Sequence, residues 1–459
     1  MEEEIRELFA LADALCARIH TGQEALRKLS DEMSARFDAA QSPLDLEQLS
    51  EQFGRALRHL WIEISVFSTS RNYRSPPAAQ KTRTATGRNV EFGYERDLQA
   101  TYLEDRCRTF WGEPPGGWSC DHVLLSSGQS AMAAVLHALE GGLLIGGKRQ
   151  LSFVHLGSYF ETSEIFSLFS SLLKPVGCGR SAVETLDRQD ADVFIIEPVF
   201  CDGEFGTVDV DRVIDRHETK ERPRIYIFDE TLTGAANSVD TDLVRLRALN
   251  PRAVFRLTSG LKLLQGGLEL ANVGVLTVFM PDDAAVSATQ LGDRIRKIRT
   301  LLGLGLSFAD LAVLEAPWFL DREYTDMYQR AIFENNARLA KAVAANNRVF
   351  CGAFHPSVLQ SPRDAPYCVF RIPEADLQGY ARLEELLQSQ VRERGILFEA
   401  GGSFGFRGHR FEIVRPEYES EPFLRVALGR RPGWSCDQIV ALMSEIASGA
   451  NYLSNQPSY

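Results

Sequence analysis

Residues 258–267 read TSGLKLLQGG and directly follow a strand-like apolar run at 253–257. Lys262 lies among leucines here, and a pair of glycines follows it. Glycine costs about 1 kcal/mol in a helix interior, so a surface helix would place other residues there. A single lysine is most often a solvated surface cation, but this composition favours an amine in an apolar pocket. Burial disfavours a charged amine, and a neutral amine attacks a carbonyl and holds it as a Schiff base.

The composition of the chain is that of a soluble globular protein. Its 459 residues are too many for one ordinary core, and 44% are hydrophobic while 24% are charged. The net charge of −12 argues against a nucleic-acid partner. The acidic start, MEEEIRELF, is unlike a secretory signal, and no apolar run reaches about 18 residues. We therefore expect a cytoplasmic protein without a membrane partner.

The cysteines and histidines do not form the pattern of a metal or disulfide site. The eight cysteines are scattered without a Cys-x-x-Cys pair. The histidines show no metal-ligand spacing. We expect reduced cysteines and no metal centre.

Hydrophobic periodicity divides the chain into three regions. Residues 1–75 show helical spacing and predict an N-terminal helical extension. Residues 76–305 alternate apolar strands with helices, which predicts a large α/β domain with a mostly parallel sheet. Residues 306–459 begin with a predicted connecting helix at 308–345 and continue as a small C-terminal α+β domain.

Ligand-binding residues are expected at the carboxyl ends of the parallel strands. Asp229 ends the apolar run RIYIFD, where a carboxylate requires a cation or a proton. Residues Ser127, Gly128 and Gln129 begin a helix directly after another strand, and the free N–H groups of a helix start bind anions. Together with Lys262, these features fit pyridoxal 5′-phosphate, which has an aldehyde, a ring nitrogen and a phosphate to be held.

Two further residues complete the predicted cofactor site. The hydroxyl of Ser259 is expected to reach the same phosphate. Tyr159 follows a strand and is expected to stack on the flat ring, although a half-buried core tyrosine explains its position equally well. Glu197 also ends a strand, and it either contacts the cofactor or only terminates that strand.

Short motifs in a common order carry a resemblance to a known family. The sequence resembles the fold-type I pyridoxal-phosphate enzymes, most closely the Cys/Met metabolism family of cystathionine synthases and lyases. The matching segments are Tyr94-Glu95-Arg96, Ser127-Gly128-Gln129, residues 159–162, Asp229-Glu230-Thr231, residues 259–262, Ser403-Phe404-Gly405 and residues 425–429. The resemblance covers residues 90–445 and implies a fold-type I architecture, with a large sheet domain and a small C-terminal domain.

The resemblance also implies roles for individual residues. Thr231 is expected at the cofactor, beside Asp229. Tyr94 and Arg96 are expected to reach the phosphate of a neighbouring subunit, which places the active site at the interface of a homodimer or homotetramer. Arg425 is expected to take the substrate carboxylate in a bidentate pair, with Ser403 at the same substrate site. From the residues alone, an acid of the protein is an alternative partner for this strand arginine.

The implied activity is that of a lyase or transferase acting on an α-amino acid through an external aldimine and a carbanion. Lys262 is expected to remove the α-proton, with elimination or replacement at the β or γ carbon as the favoured reaction in a specialised pathway. The runner-up is an aminotransferase, because the segments EPV, FDETLTG and KLLQGG are similar to class III aminotransferases. A non-catalytic pyridoxal-phosphate-binding protein is the third hypothesis. The sequence does not identify the amino acid.

Overall fold

The computed structural model describes residues 1–70, 73–77, 82–142, 144, 150–179, 191–200, 202–217, 224–234, 240–359, 361, 363–373, 377–415 and 421–449. Of the eight cysteines, Cys201 lies outside these residues. The helices are α1 (Glu2–Arg18), α2 (Gln23–Ala39), α3 (Pro43–Ser70), α4 (Thr101–Trp111), α5 (Gly128–Glu140), α6 (Phe160–Leu168), α7 (Val210–His217), α8 (Asp240–Ala248), α9 (Gly260–Leu263), α10 (Ala288–Leu302), α11 (Phe308–Val313), α12 (Arg322–Ala345), α13 (Leu377–Arg394) and α14 (Trp434–Ser448).

The strands are β1 (Thr82–Arg83), β2 (Asn89–Val90), β3 (Trp118–Leu125), β4 (Leu151–Leu156), β5 (Leu173–Cys178), β6 (Val193–Ile196), β7 (Ile225–Asp229), β8 (Ala253–Ser259), β9 (Gly274–Pro281), β10 (Ala353–Phe354), β11 (Cys368–Phe370), β12 (Phe398–Ala400), β13 (His409–Val414) and β14 (Phe423–Ala427). None of the helices within the described ranges is long and apolar enough to cross a lipid bilayer.

The large sheet has the seven-stranded order β3-β9-β8-β7-β6-β4-β5. Neighbouring strands from β8 to β5 are parallel, whereas β9 is antiparallel to both β3 and β8. Apolar side chains pack on both faces, with Ile195 and Ile227 in one core cluster and Phe194 and Phe228 in another. A parallel sheet covered on both faces has this apolar character, and the predicted mostly parallel architecture is confirmed.

The parallel arrangement brings several polar residues to one edge of the large sheet. Strands β4, β6, β7 and β8 all run in the same direction, so their carboxyl ends meet there. Asp229 is the last residue of β7, and Ser259 is the last residue of β8. The edge is therefore the natural position for a ligand site.

A smaller five-stranded sheet has the order β10-β11-β14-β13-β12. Its pairs are antiparallel except β12 with β13, and one face packs against α12, α13 and α14. On the other face, Phe423 and Ala427 of β14 pack in one cluster with Leu232, close after β7, and with Phe404. This second face therefore covers the carboxyl edge of the large sheet.

The N-terminal helices pack against the rest of the same chain. Buried Phe53, Leu57 and Trp61 on α3 form one core with α1 and with residues of α11. The indole N–H of Trp61 donates a 2.8 Å hydrogen bond to the Val313 carbonyl oxygen. The extension is thus an integral layer of this subunit.

The predicted continuous helix at 308–345 is wrong. The structure has α11 and α12 separated by residues 314–321. Pro317 lacks the N–H that a helix interior requires, and Leu320 has a φ of 56°, outside the helical region.

Candidate active site

Lys262 lies on the short helix α9, which begins where β8 ends. The backbone N–H of Gly260 donates to the Val273 carbonyl oxygen at 2.8 Å, which fixes the helix start to the residue that precedes β9. The half-buried Lys262 ammonium nitrogen lies 2.5 Å from the Ser403 hydroxyl oxygen and 5.5 Å from the centre of the Phe404 ring. The amine is therefore held at the carboxyl edge of the large sheet by a loop of the small domain.

The loop that contacts Lys262 has an unusual backbone. Ser403 has a φ of 74° and Gly405 a φ of 85°. A side chain on Gly405 would collide with the Lys262 carbonyl group, and Tyr328 donates a 3.0 Å hydrogen bond to the Gly405 carbonyl oxygen. A left-handed serine is strained by about 1 kcal/mol, and such strain is typical of functional loops.

Asp229 is a carboxylate at the end of β7. Its Oδ1 accepts a 2.9 Å hydrogen bond from the Thr231 N–H. Burial, and secondarily the charge of Glu197, raise the pKa of Asp229 to about 6. Within the described part of the chain, no lysine or arginine lies at ion-pair distance from this carboxylate. A cationic group that enters the site would therefore stabilise the charged form of Asp229.

Thr231 connects Asp229 to the strand that precedes Lys262. Its backbone N–H binds Asp229, and its side-chain oxygen accepts a 3.0 Å hydrogen bond from the Ser259 N–H. The two strand ends are thus held in fixed register. Thr231 has a bridging role in the free protein, which the sequence did not predict.

Glu197 organises the loop that carries Tyr159. Its Oε2 accepts hydrogen bonds from the backbone N–H groups of Ser158 and Tyr159 at 2.8 and 3.0 Å. Its Oε1 lies 2.9 Å from Nε2 of the buried His155. Glu197 is therefore more than a strand terminator, and Tyr159 is placed at the start of α6. His155 was missed; the only signal was a histidine within the apolar run LSFVHL.

The predicted anion-binding residues Ser127, Gly128 and Gln129 lie beside β8, the strand that precedes Lys262. The Ser127 hydroxyl caps α5 by accepting a 3.0 Å hydrogen bond from the Ser130 N–H. A Cβ on Gly128 would lie only 3.4 Å from the Ser259 Cβ, so the helix start and the end of β8 are close together. The Gln129 side chain donates to Glu161 at 3.2 Å. The start of α5, with its positive end, thus faces the same edge as Ser259.

Arg425 is paired with an acid of the protein. It lies in β14 directly opposite Glu412 in β13, and its Nη2 donates to Glu412 Oε2. The guanidinium carbon lies 5.3 Å from the centre of the Tyr367 ring. In this structure the partner of Arg425 is an acid of the protein, which was the alternative to a substrate carboxylate. Glu412 was not predicted from the sequence.

Tyr94 and Arg96 are not brought to the other predicted site residues of their own subunit. The Tyr94 residue is 56% exposed and the Arg96 side chain 65% exposed. The Arg96 guanidinium lies 5.3 Å from the centre of the Tyr94 ring and 3.9 Å from Asp97. Neither side chain makes a hydrogen bond, ion pair or ring contact with another predicted site residue inside the described ranges.

Comparison of the whole chain with known proteins finds likeness only at the level of structure. No protein-family model and no curated protein sequence matches it. Yeast cystathionine gamma-lyase is similar with a TM-score of 0.57 and 15% identity, over 84% of this chain and 93% of that one. The apo methionine gamma-lyase of Micromonospora echinospora has a TM-score of 0.54 and 18% identity, over 84% and 98%.

A third similar structure contains a modified lysine. It is a putative O-acetylhomoserine (thiol)-lyase from Campylobacter jejuni with an N′-pyridoxyl-lysine-5′-monophosphate residue. Its TM-score is 0.56 at 12% identity, over 78% of this chain and 88% of that one. At such identities the likenesses show the fold, and they confirm the predicted fold-type I architecture.

Proposed function

We propose that this protein is a pyridoxal-phosphate-dependent enzyme that acts on an α-amino acid by elimination or replacement at the β or γ carbon. The observation that carries the proposal is the presence of an amine and a carboxylate at the same edge of the large sheet. Lys262 presents an amine held by Ser403, and Asp229 presents a half-buried carboxylate with no lysine or arginine at ion-pair distance among the described residues. This is the donor set that the aldehyde and the ring nitrogen of the cofactor require.

The residues present fit the cofactor. A protonated pyridine nitrogen is the cation that would favour the ionised form of Asp229. The start of α5 at Gly128, with the Ser127 and Ser259 hydroxyls near it, fits a phosphate group. Tyr159, fixed through its backbone by Glu197, is the aromatic side chain proposed for the ring face.

When bound, the cofactor supplies an electron sink for the pair released at the substrate Cα. Lys262 is the proposed general base that takes the α-proton, and the Ser403 hydroxyl orients its nitrogen. Phe404 and the apolar cluster around it keep water away from the reacting atoms. With the cofactor bound, Asp229 would pair with its ring nitrogen. Arg425 is proposed to receive the substrate carboxylate.

The choice of elimination or replacement rests on the similar structures. Their printed activities are those of a cystathionine gamma-lyase, a methionine gamma-lyase and an O-acetylhomoserine (thiol)-lyase. Transamination uses the same groups and remains the competing outcome of the test. The substrate class is an α-amino acid with a leaving group on its side chain.

The test is product analysis with purified, cofactor-loaded protein and a panel of sulfur-containing and O-activated amino acids. We expect the side-chain leaving group and a keto acid in equal amounts, or a replaced side chain when a thiol is supplied. Keto acid with pyridoxamine phosphate and no released leaving group would contradict elimination. Lys262→Ala is the control, and it should lose both the products and the visible absorbance of the lysine-bound cofactor.

We further propose that the enzyme is a cytoplasmic homodimer or homotetramer in which Tyr94 and Arg96 complete the site of a neighbouring subunit. The exposure of both side chains supports this arrangement. The proposed regions remain 1–75, 76–305 and 306–459. The large sheet lies within the second of these regions and the smaller sheet within the third.

A further inference from the structure

Glu412 and Arg425 form a cross-strand pair in the smaller sheet. They lie directly opposite one another in the antiparallel pairing of β13 with β14, so both side chains project from the same face. Glu412 accepts a hydrogen bond from Arg425. The pairing follows from the backbone register, and the two side chains meet without any change of strand geometry.

The pair lies on the face that covers the active-site edge. Residues 423, 425 and 427 share one side of β14, and Phe423 and Ala427 pack with Leu232 and Phe404. Phe404 in turn lies near the Lys262 amine. Arg425 therefore lies on the side of β14 that packs against Phe404, the residue next to the lysine amine.

The Glu412 carboxylate reaches the loop that holds the lysine. A Cβ placed on Gly402 would lie 3.3 Å from Glu412 Oε2 and 3.4 Å from Oε1. The next residue, Ser403, contacts the Lys262 nitrogen. An acid thus lies beside both the proposed carboxylate-binding arginine and the loop that contacts the lysine.

The charges decide what this acid does. Arg425 carries one positive charge, and the Glu412 carboxylate neutralises it. A substrate carboxylate and Glu412 cannot both make the full bidentate pair, since the two like charges repel each other. The Glu412 side chain is 31% exposed whereas that of Arg425 is 14% exposed, so the acid is the partner that can turn toward water.

We propose that Glu412 is a specificity-determining residue that occupies Arg425 until a substrate carboxylate displaces it. This inference rests on the proposed function, in which Arg425 receives the α-carboxylate. The site takes a free α-carboxylate only by exchange for Glu412, and it discriminates weakly between an amino acid and the corresponding amide. A substrate with a second anionic group near its carboxylate is disfavoured, because the displaced Glu412 stays beside the loop at Gly402.

The experiment measures binding in place of turnover. Cofactor-loaded wild-type protein and Glu412→Gln are titrated with glycine and with glycinamide, and the absorbance of the bound cofactor is followed. Neither probe has a side-chain leaving group. We expect Glu412→Gln to lower the half-saturating glycine concentration roughly tenfold and to leave that of glycinamide within about twofold. An unchanged or weakened response to glycine would overturn the proposal.

Two further variants keep the test decisive. Glu412→Asp keeps the charge but shortens its reach, so an intermediate glycine response is expected even if Glu412→Gln folds poorly. Glu399→Gln is the matched control, since Glu399 lies on the adjacent strand and pairs with Arg55 instead. Its glycine response should equal that of the wild type. A shift as large as that of Glu412→Gln would point to a general charge effect and would also overturn the proposal.

Acetate separates this inference from the proposed function. Binding of acetate, followed by nuclear magnetic resonance line broadening, requires the arginine but no amine chemistry. Tighter acetate binding by Glu412→Gln together with an absence of lyase products would remove the proposed reaction and leave the role of Glu412 intact. Lyase products together with equal acetate and glycine binding by both proteins would do the opposite.

Discussion

Arg407 donates a 2.8 Å hydrogen bond from Nε to Glu4 Oε1, which joins the first helix of the chain to the segment that follows the Ser403 loop. Glu4 is fully buried, and the other nitrogens of Arg407 reach Glu7 at 2.8 Å and the Gly266 carbonyl oxygen at 3.1 Å. Gly266 closely follows Lys262. The N-terminal helix thus braces both segments that hold the lysine.

We expect Glu4→Gln to lower the free energy of unfolding by about 3 kcal/mol, because it leaves Arg407 and Arg430 short of a buried counter-charge. Denaturant unfolding of the variant measures this. Glu2→Gln is the matched control, since Glu2 and its partner Arg6 are both exposed and the substitution should cost a few tenths of a kcal/mol. Equal losses in the two variants would show that the buried network is not a main source of stability.

A second prediction concerns how the stability contributed by Glu4 depends on pH. Burial alone would raise the pKa of Glu4, but the charges of Arg407 and Arg430 outweigh it and hold the pKa below its usual value. The folded protein therefore binds this proton more weakly than the unfolded chain does. The contribution of Glu4 to the free energy of unfolding is complete above the ordinary glutamate pKa, and it is lost as the pH falls toward the lowered pKa of Glu4. The stability difference between wild type and Glu4→Gln should shrink on acidification below about pH 4; a difference that grows would contradict the assignment.

A third prediction concerns Asp229, whose effect on stability depends on pH in the opposite direction. The pKa of Asp229 is raised from 3.8 to about 6, so the folded cofactor-free protein binds this proton more tightly than the unfolded chain does. Ionisation of Asp229 therefore costs stability as pH rises from about 4 to about 6. We expect cofactor-free Asp229→Asn to be more stable than wild type by about 1–2 kcal/mol at pH 8, and equal to it near pH 4. The same variant should lose activity when loaded. A less stable variant at pH 8 would contradict the electrostatic cost.

Glu197→Gln tests the support of the Tyr159 loop. The glutamine carbonyl oxygen can still accept from the N–H groups of Ser158 and Tyr159, but without the negative charge that strengthens these hydrogen bonds. The pKa of Asp229 also falls, because a neighbouring negative charge is gone. We expect roughly tenfold weaker cofactor binding by equilibrium dialysis, consistent with hydrogen bonds that lose their charged acceptor. Glu164→Gln, an exposed change on α6, should bind the cofactor like the wild type. Unchanged binding by Glu197→Gln would restrict Glu197 to a structural role.

Some of this site follows from local sequence. Asp229 and Ser259 end apolar strands, and parallel strands bring such ends together whatever the loops between them do. The helix start at Ser127 is similarly local, because its cap is made within one turn. These residues were predictable because the hydrophobic period of the sequence and the parallel direction of the strands fix their positions.

Other contacts depend on long-range packing that no local pattern encodes. Glu412 meets Arg425 through the register of two strands joined by a loop, and an alternating strand pattern leaves that register open. Glu4 and Arg407 are 403 positions apart, and only the docking of a helix on the finished fold pairs them. Tyr94 and Arg96 differ from these residues, because the partners proposed for them belong to a neighbouring subunit.

The last prediction tests that shared site by complementation. Lys262→Ala removes the base of a subunit, and Arg96→Ala removes what that subunit donates to its neighbour. Each pure variant should be nearly inactive. When the two are unfolded together and refolded as a mixture, hybrid dimers should contain one site with both groups intact, because an intact lysine on one chain meets an intact arginine from the other. Activity should therefore reappear in the mixture and be absent from each variant treated alone. Arg108→Ala, which changes an exposed arginine on α4, should be active by itself. If the mixture remains inactive although hybrids form, Arg96 does not act across the interface.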